Sequence, residues 1–513
     1  MTSVEHAVAW LQAQGVDWMA TLCGHGLDPL FRVARERGIR LIDTRNEQTA
    51  SYIAECYGRL TRRAGVCAVS SGVAHVNALC GVANAWFDGA PMLLISGAAA
   101  HRTMGLGHFQ DLNQVALAAP ITRYARVVDH PDRTLQIFEE AWSAARNGPA
   151  HITYPMDVQL AEVRQLVPSI PLAEPRPYFE PEPLVEALGS AQRPVVVAGS
   201  KAWYHHEEEL ILAFCEALAI PLVTPVWDRG VVGRPSSVFA GVVGALTGGP
   251  RILQDADLLV MAGARADYRL GFLNPEWFAS PCRVIPAAGA WRQALELATS
   301  VSPFRGWLEE VQARRQIHHE RLLAVAESQR LADRLHAVDI LEVLRPVVAA
   351  GASLIIDGGS IGQWAHHLLT EHHYPSHWLS CGPSGVVGYG LGGAMAARLA
   401  NPQRPVVLLS GDGAFTFNVA DLECAVRQKL PLVAIVADDQ GWGITRLGHI
   451  RQFGEPIASS LGPVAFAQLA ASLGAQGCLV TTREQLSSAL TKALETDAVT
   501  VIHVPVAGGN PSL

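Results

Sequence analysis

Two short segments in the last third of the chain carry residues that could hold a metal ion against a diphosphate. One is Gly411-Asp412-Gly413, and the other contains Asp439, which follows Asp412 by 27 residues. Carboxylate and carbonyl oxygens are the ligands that Mg²⁺ and Ca²⁺ prefer, and phosphate oxygens can fill the remaining positions. Asp412, Asp439 and the backbone carbonyl of Gly441 would form such a ligand set. The glycines would let phosphate oxygens approach backbone N–H groups.

The elements around these segments would bring the two aspartates together. Apolar runs at 406–410 and 432–437 predict buried strands, and the segment 419–428 between them predicts a helix. A strand, a crossover helix and a second parallel strand place both aspartates at one edge of a sheet. Each segment alone has an ordinary interpretation, since Gly411-Asp412-Gly413 is typical of a turn and Asp438-Asp439 of a solvated loop end. The pair at this spacing favours the metal site.

The pair resembles the cofactor fingerprint of thiamine-diphosphate (ThDP) enzymes, which is Gly-Asp-Gly followed by Asn-Asn at the end of the next strand. The resemblance implies that Asp412, Asp439 and the Gly441 carbonyl hold Mg²⁺ against the cofactor diphosphate. The family usually has asparagine where this chain has Asp438 and Asp439. A second carboxylate beside a polyanion adds repulsion unless the metal offsets it, so we expect metal preference and cofactor affinity to depend on this difference.

Further cofactor contacts follow from the same resemblance. It implies that the Gly385 carbonyl accepts a hydrogen bond from the cofactor's 4′-amino group and that Val387 wedges between its rings. Val387 is smaller than the Met, Leu or Ile usual there, and a place in the ordinary core is its alternative. Trp442 could line the pocket or cover the loop. The cofactor is expected to contact residues in three turns, namely Gly359, Ser360, Gly413, Ala414, Gly441, Trp442, Gly443 and Ile444.

Glu47 is the residue expected to start the chemistry. The segment 42–58 predicts a strand end that passes into a helix, and Thr44-x-x-Glu47 is typical of a capping box, which would be a purely structural role. Arg45-Asn-Glu-Gln, however, resembles the family's Arg-His-Glu-x segment, whose glutamate bonds N1′ of the cofactor. The resemblance implies that Glu47 favours the imino tautomer, which takes the C2 proton to give an ylide and then an enamine.

The substrate side of the site is expected on two loops of the first domain. The segment 107–122 resembles acetolactate synthases and benzaldehyde lyase, which implies that Gln110 donates to an oxygen of the substrate or intermediate. His25 lies in the loop after the first strand, where relatives place active-site residues. Ser71 and His75 are nearby in sequence. We expect His75 to be packed rather than catalytic.

The resemblance implies a carbon–carbon lyase or carboligase for small 2-hydroxy ketones, aldehydes or 2-keto acids. A 2-keto acid decarboxylase and a 2-hydroxyacyl-CoA lyase or oxalyl-CoA decarboxylase-like enzyme are the alternatives. The short segment 507–513 after the last strand favours a small carbonyl substrate, because several relatives close their sites with a longer tail. A non-catalytic homologue that binds a nucleotide or a protein is a more distant alternative.

Composition excludes several other classes of protein. The 513 residues are 49% hydrophobic and 17% charged, and the net charge of -8 comes without a basic run that would suggest nucleic acid binding. No apolar run approaches a membrane span. Nine cysteines without a Cys-x-x-Cys pair indicate reduced thiols and a cytoplasmic protein. A histidine-rich segment suggests a metal site but is expected to be a solvated helix end; its members are His366, His367, His372, His373 and His377.

Alternating strand and helix patterns predict an α/β fold with three doubly wound parallel-sheet domains, at 1–163, 184–316 and 336–513. A proline-rich segment and a charged helical segment at about 317–335 separate them. The order resembles the pyrimidine-binding, central and diphosphate-binding domains of ThDP enzymes. The segment from Gly263 to Arg269 resembles their central domain. Whether this domain binds FAD or ADP stays open. Because the family places the glutamate and the diphosphate site of one active centre on different subunits, we expect a homodimer at minimum and a homotetramer.

Overall fold

The computed structural model describes residues 1–169, 178–228, 232–244, 249–369 and 376–511. In these ranges the chain forms three α/β domains, each built on one sheet whose paired strands are parallel, so the predicted fold class is confirmed. The predicted domain boundaries stay predictions. Three prolines of the expected linker and two of the histidines lie outside the described residues; these are Pro171, Pro175, Pro177, His372 and His373.

The N-terminal domain has a six-stranded sheet of order β2-β1-β3-β4-β6-β5. Every residue of its central strand Met92–Ala98 is buried, as expected for a parallel sheet that helices cover on both faces. The strands are β1 (Trp18–Leu22), β2 (Arg40–Asp43), β3 (Gly65–Val69), β4 (Met92–Ala98), β5 (Tyr124–Val127) and β6 (Pro149–Pro155). The helices are α1 (Ser3–Ala13), α2 (Asp28–Glu36), α3 (Glu47–Thr61), α4 (Val73–Asp88), α5 (Gln114–Ala118), α6 (Thr134–Ala145) and α7 (Met156–Leu160).

The central domain has a five-stranded sheet of order β11-β10-β7-β8-β9. Its strands are β7 (Pro194–Ala198), β8 (Leu222–Pro225), β9 (Phe239–Val243), β10 (Leu258–Ala262) and β11 (Arg283–Ala287). Its helices are α8 (Pro181–Ser190), α9 (Ser200–Tyr204), α10 (Glu208–Leu218) and α11 (Trp291–Leu297). The long helix α12 (Arg305–Ser328) then leads to the third domain, and it begins and ends earlier than the predicted charged helix.

The C-terminal domain has a six-stranded sheet of order β13-β12-β14-β15-β17-β16. Since β12, β14 and β15 are neighbours, the turns after them meet at one sheet edge. The strands are β12 (Ser353–Asp357), β13 (Trp378–Leu379), β14 (Val406–Gly411), β15 (Val433–Asp438), β16 (Gln476–Leu479) and β17 (Thr500–Pro505). The helices are α13 (Ala337–Ala349), α14 (Gly359–Leu368), α15 (Gly390–Ala400), α16 (Asp412–Thr416), α17 (Asp421–Arg427), α18 (Gly443–Phe453), α19 (Phe466–Ser472) and α20 (Arg483–Leu494).

One buried arginine joins all three domains. Arg59 on α3 is fully buried, and its guanidinium lies 3.3 Å from the Asp88 carboxylate. It donates to the carbonyl oxygen of Ser380 in the C-terminal domain at 2.8 Å. The indole of Trp203 in the central domain donates to the Arg59 carbonyl at 3.0 Å. The two hydrogen bonds connect the N-terminal domain to the other two, and removing one partner of the buried ion pair would leave an uncompensated charge.

The expectation of a solvated helix end is wrong for His366. This residue lies in the last turn of α14, is 3% exposed and packs near Trp378, with ring centroids 6.2 Å apart. His367 is half-buried, with its ring 5.4 Å from that of His318 on α12. The reason is domain packing, because β9 and α12 of the neighbouring segment cover this end of α14. Among the described residues, no helix combines the length and apolar character that a membrane crossing requires.

Candidate active site

The two aspartates of the predicted metal site lie side by side. Asp412 begins α16 directly after β14, Asp439 follows β15, and the two strands pair in parallel up to Gly411 and Ala437. Asp412 is 4% exposed and accepts a hydrogen bond from the Gly441 backbone N–H at 3.1 Å. The Asp412 and Asp439 carboxylates are close enough for each to shift the pKa of the other. The structure therefore brings the three predicted ligand residues together.

The electrostatics of this pair fit a bound cation. Burial, and next the negative charges of Asp439 and Asp438, raise the pKa of Asp412. Burial also raises the pKa of Asp439, although the Arg446 guanidinium acts against the shift. A divalent cation would remove the repulsion between the two carboxylates and favour their ionised forms. Among the described residues no group of three or more His, Cys, Asp or Glu side chains could hold a metal, but the predicted set needs only two carboxylates and one carbonyl.

Two basic residues that the sequence analysis missed accompany the unusual aspartates. Arg446 on α18 donates to the Asp439 carboxylate at 3.2 Å, to the Asp439 carbonyl at 3.0 Å and to the Gln440 carbonyl at 3.3 Å. The Nε2 atom of His503 on β17 lies 2.8 Å from the Asp438 carboxylate. Each aspartate that replaces the usual asparagine thus has a hydrogen-bonding partner. Arg446 follows Asp439 by seven residues across a loop, a spacing that carries no pairing signal.

A cavity of about 440 Å³ opens beside the aspartates, between the turns after β12, β14 and β15 and the loop before α15. Nine of the predicted cofactor residues line it, namely Gly359, Gly385, Val387, Gly413, Ala414, Gly441, Trp442, Gly443 and Ile444. The sequence analysis did not identify several other lining residues, which include Trp227, Gln363, His366, Cys381, Arg451 and Asn510. Pockets of this size are typical of small-molecule sites.

Ser360 is a polar group that lies next to Gly443, a residue of the cavity wall. Its Oγ atom is buried and has no hydrogen-bond partner among the described residues. A Cβ atom on Gly443 would lie 2.6 Å from that oxygen and 2.5 Å from the Asp439 carboxylate, so glycine leaves the room that both groups need. A Cβ atom on Gly413 would lie 2.9 Å from the Trp442 ring. An unsatisfied hydroxyl among close glycines fits an anionic group such as a diphosphate.

The loop that carries Gly385 and Val387 is held by Asp357, the last residue of β12. Its two carboxylate oxygens accept from the backbone N–H groups of Gly388 at 2.9 Å and Gly390 at 2.8 Å. Burial raises the pKa of Asp357 to about 6. Val387 is half-buried and lines the cavity, so it does not belong to the fully buried core. A Cβ atom on Gly385 would meet no atom within 4 Å, which leaves this position open toward a ligand.

Glu47 is the first residue of α3, and the capping-box alternative for it is wrong. The N-cap is Asn46, whose side chain accepts from the Gln48 backbone N–H at 2.9 Å. Thr44 lies two residues before the cap, where its hydroxyl donates to the Asn46 carbonyl at 2.8 Å. The half-buried Glu47 carboxylate accepts from the Asn77 side chain at 3.1 Å and has no capping role.

His25 and Gln110 lie together at the carboxyl edge of the N-terminal sheet. The Ser71 hydroxyl contacts both, at 3.0 Å from the Gln110 side-chain oxygen and 3.3 Å from the His25 carbonyl. Gln110 has a φ of 56°, a left-handed conformation that non-glycine residues rarely adopt outside functional or strained sites. The Nε2 atom of His25 is buried without a partner among the described residues. His75 is fully buried, as expected, and burial lowers its pKa to about 4.

Among the described residues, Glu47, His25 and Gln110 do not line the cavity beside Asp412 and Asp439. The described residues that line the cavity come from the central and C-terminal domains, whereas Glu47, His25 and Gln110 belong to the N-terminal domain. Each group lies at the carboxyl edge of its own parallel sheet, where α/β proteins bind ligands. The paired aspartates and Glu47 therefore lie at the edges of two different sheets.

The chain has three parallel-sheet domains, and in the last one two aspartates lie side by side after neighbouring strands. This combination indicates a cofactor-dependent enzyme, and comparisons with known proteins identify its family. Family models of thiamine pyrophosphate enzymes match the chain over residues 1–117 (N-terminal TPP binding domain), 182–287 (central domain) and 357–504 (C-terminal TPP binding domain). The chain belongs to the thiamine-diphosphate enzyme family. The match of both cofactor-binding domains supports ThDP as its cofactor.

The relatives that match this chain over most of their own length are named as two kinds of enzyme. A probable acetolactate synthase of Mycobacterium bovis is 30% identical over 96% of this chain and 94% of its own length. The large subunit of acetolactate synthase isozyme 2 of Escherichia coli is 27% identical over 99% of this chain and 96% of its own length. The 2-hydroxyacyl-CoA lyase 2 of Homo sapiens is 28% identical over 93% of this chain and 84% of its own length.

Proposed function

We propose that this protein is a ThDP-dependent carbon–carbon lyase or carboligase for small 2-hydroxy ketones, aldehydes or 2-keto acids. The observation that carries the proposal is the cavity beside Asp412 and Asp439, whose wall includes Val387 and Gly443. The Ser360 hydroxyl, which has no partner among the described residues, lies next to Gly443. Bound there, ThDP would supply the nucleophile and the electron sink for making or breaking a bond next to a carbonyl.

The residues divide into three tasks. Asp412, Asp439 and the Gly441 carbonyl hold Mg²⁺, and Gly359, Ser360 and Gly413 bind the diphosphate. The open Gly385 position and Val387 orient the rings. The Glu47 carboxylate holds a proton at N1′ of the pyrimidine, while Gln110 and His25 contact the substrate. The remaining contacts to the cofactor come from Ala414, Trp442, Gly443 and Ile444, which line the same cavity.

The active unit is a homodimer, and pairing of dimers gives a homotetramer. The separation of Glu47 from the cavity of its own chain supports this proposal, because a second copy is needed to supply the glutamate to each cavity. A two-fold arrangement would form two equivalent active sites from one pair of contacts. Each site would combine the N-terminal domain of one protomer with the C-terminal domain of its partner.

A small carbonyl substrate is favoured over an acyl-CoA. The walls of the cavity include Trp227 and Trp442, whose apolar rings suit a small carbonyl compound better than a charged acyl-CoA. The 2-hydroxyacyl-CoA lyase among the relatives makes acyl-CoA cleavage the second candidate. The two differ in product, since the second releases formyl-CoA.

A substrate panel tests the proposal. The protein with ThDP and Mg²⁺ is incubated with pyruvate, aldehydes, acyloins and a 2-hydroxyacyl-CoA, and the products are separated and identified. We expect cleavage or condensation of the small carbonyl compounds, and none with the Glu47→Gln variant. Formyl-CoA as the main product would favour the second candidate, and CO₂ release with no condensation would identify a decarboxylase. A protein that binds ThDP but turns over no member of the panel would contradict the enzyme proposal.

A further inference from the structure

A second cavity lies between the central and C-terminal domains, with a volume of about 280 Å³. We call it the basic cavity. Its walls come from β9, α12, α13 and the last turn of α14. Among the described residues no aspartate or glutamate lines it, and its other polar groups are the side chains of Gln312 and Gln316. Its basic residues are Arg315, His318, His319, Arg345, His366 and His367.

Arg315 brings a positive charge into this cavity without a carboxylate beside it. Its guanidinium is half-buried and donates to the Phe239 carbonyl at 3.0 Å, and burial alone lowers its pKa. Two other shielded arginines have acidic partners, namely Asp228 for Arg269 at 3.2 Å and Asp255 for Arg314 at 2.6 Å. Burying a cation without a partner is costly, so the fold retains this charge at a price in stability.

Arg315 shares the cavity with other side chains that can donate hydrogen bonds. Arg315, His319 and Arg345 line the same cavity. Burial, and next the positive charges of Arg345 and Arg315, lower the pKa of His319. Arg345 also donates to the Leu368 carbonyl at 2.6 Å at the end of α14. Among the described residues, Glu320 acts electrostatically on His319 and Glu342 on Arg345, and neither glutamate lines the cavity.

The histidines add ring nitrogens that have no partner. His318 Nε2 and His366 Nδ1 are buried without a hydrogen bond among the described residues. The rings of His318 and His367 lie 5.4 Å apart. Burial lowers the pKa of His366 to about 4 and that of His367 to about 3, so these rings are neutral at pH 7 without a ligand. A neutral imidazole can still donate one N–H, and a nearby anion would favour its protonated form.

We propose that the basic cavity binds a compact phosphate-type dianion, either free phosphate or the phosphoryl group of a small metabolite. Guanidinium groups form short, strong hydrogen bonds to phosphate oxygens, and the unpartnered histidine nitrogens supply further donors. The volume of about 280 Å³ admits a phosphate with a short attached chain and is small for a dinucleotide. A metal is not favoured, because no described group of histidines, cysteines or carboxylates is arranged to hold one.

The test uses the enzyme already loaded with ThDP and Mg²⁺. His366 lines both cavities, and phosphate could otherwise bind where the diphosphate belongs. Calorimetric titration with inorganic phosphate should show one saturable site per chain, and a further increase in ThDP should not displace it. A short phosphorylated acid, 2-phosphoglycolate, binding more tightly than phosphate would identify a metabolite as the natural source.

Two variants and one control decide the assignment. Arg315→Gln and His318→Asn should each weaken phosphate binding by about tenfold, the loss expected for a charged or ligand-directed hydrogen bond. Arg305→Gln, an exposed residue of the same helix, should leave it unchanged. His318→Asn decides the case if Arg315→Gln does not fold, because His318 Nε2 bonds to no described protein group. No saturable binding, binding of malonate but not phosphate, or unchanged binding in His318→Asn would overturn the proposal.

Discussion

Asp438 and Asp439 occupy positions where the family usually has asparagines, and both have a basic partner. Arg446 contacts the Asp439 carboxylate and two carbonyls of the same loop, and His503 contacts Asp438. An arginine beside a carboxylate that also faces a diphosphate lowers the repulsion that the extra charge would cause. The substitution of aspartate for asparagine is therefore compensated within the fold.

Arg446→Gln should raise the ThDP dissociation constant by about tenfold at saturating Mg²⁺, because it removes charged hydrogen bonds that position Asp439. Quenching of tryptophan fluorescence can report binding, since Trp442 lines the cavity. The control is the double variant Asp439→Asn with Arg446→Gln. If Arg446 acts through Asp439, its loss should matter less in the Asp439→Asn background, whereas additive effects of the two changes would contradict this role.

Ser360→Ala should weaken ThDP binding without changing stability. The Ser360 hydroxyl has no partner among the described residues, so its removal breaks no described protein hydrogen bond. Loss of one hydrogen bond to the diphosphate corresponds to an affinity about three- to tenfold lower. Equilibrium binding and denaturant unfolding of the same variant measure the two effects separately. A lower free energy of unfolding with unchanged ThDP affinity would assign Ser360 to the fold instead.

At the residue scale, the sequence predicted those positions whose neighbours follow from strand order. Asp412, Asp439 and Gly441 meet because consecutive parallel strands end at one edge. Arg446 and His503 could not be predicted, since their contacts depend on how a loop folds back and on which distant strand lies next to β15. Sequence spacing does not determine either.

At the scale of elements, one strand end holds the loop that would orient the cofactor rings. Asp357 ends β12 and accepts hydrogen bonds from the backbone of Gly388 and Gly390. These bonds place Val387 beside the turns that are expected to bind the diphosphate. An amide cannot replace this buried carboxylate without loss. Its single oxygen can accept from one backbone N–H, but its NH₂ group faces the other N–H and cannot accept from it.

Asp357→Asn should therefore lower the free energy of unfolding by about 1–3 kcal/mol and weaken ThDP binding, since one buried N–H loses its acceptor. Urea unfolding and ThDP titration measure these effects. Asp333→Asn serves as the matched control, because Asp333 is exposed and should tolerate the change. Unchanged stability and affinity in Asp357→Asn would show that the loop is positioned by other contacts.

Element prediction succeeded where one strong pattern acts locally. The predicted strands at 406–410 and 432–437 agree with β14 and β15, with a shift of one residue at their ends. The capping-box prediction was wrong because α3 begins two residues later than a cap at Thr44 requires, with Asn46 as its N-cap. The prediction of a solvated end for α14 was wrong because the elements that cover this end, β9 and α12, come from another part of the chain.

At the scale of the whole molecule, the proposed site needs two chains, and complementation tests this. Glu47→Gln and Asp412→Asn should each be inactive alone. In a hybrid dimer, one of the two sites would combine both unchanged residues, so about half of the activity of the unmodified dimer should return. The variants are co-expressed with different affinity tags, and the activity of the purified hybrid is measured. A hybrid as inactive as its parents would show that both residues serve the same site from one chain.

The order of three domains was predictable, because each has its own alternating pattern and the two cofactor motifs lie in the first and third. Their packing was not. Arg59 joins the domains through Asp88, Ser380 and Trp203, which are distant in sequence and carry no mutual signal. The basic cavity arises from the same packing, and so no local pattern indicated it.

The exchange of the cofactor C2 proton tests the central claim most directly, because it measures what Glu47 is proposed to do before any substrate is chosen. The protein with bound ThDP and Mg²⁺ is mixed with D₂O, quenched with acid, and the C2 proton is followed by NMR. We predict that the enzyme exchanges this proton much faster than free ThDP does, and that Glu47→Gln slows the exchange by about 10²–10⁴-fold while still binding the cofactor. Exchange no faster than in free ThDP, or equally fast exchange in Glu47→Gln, would contradict the account.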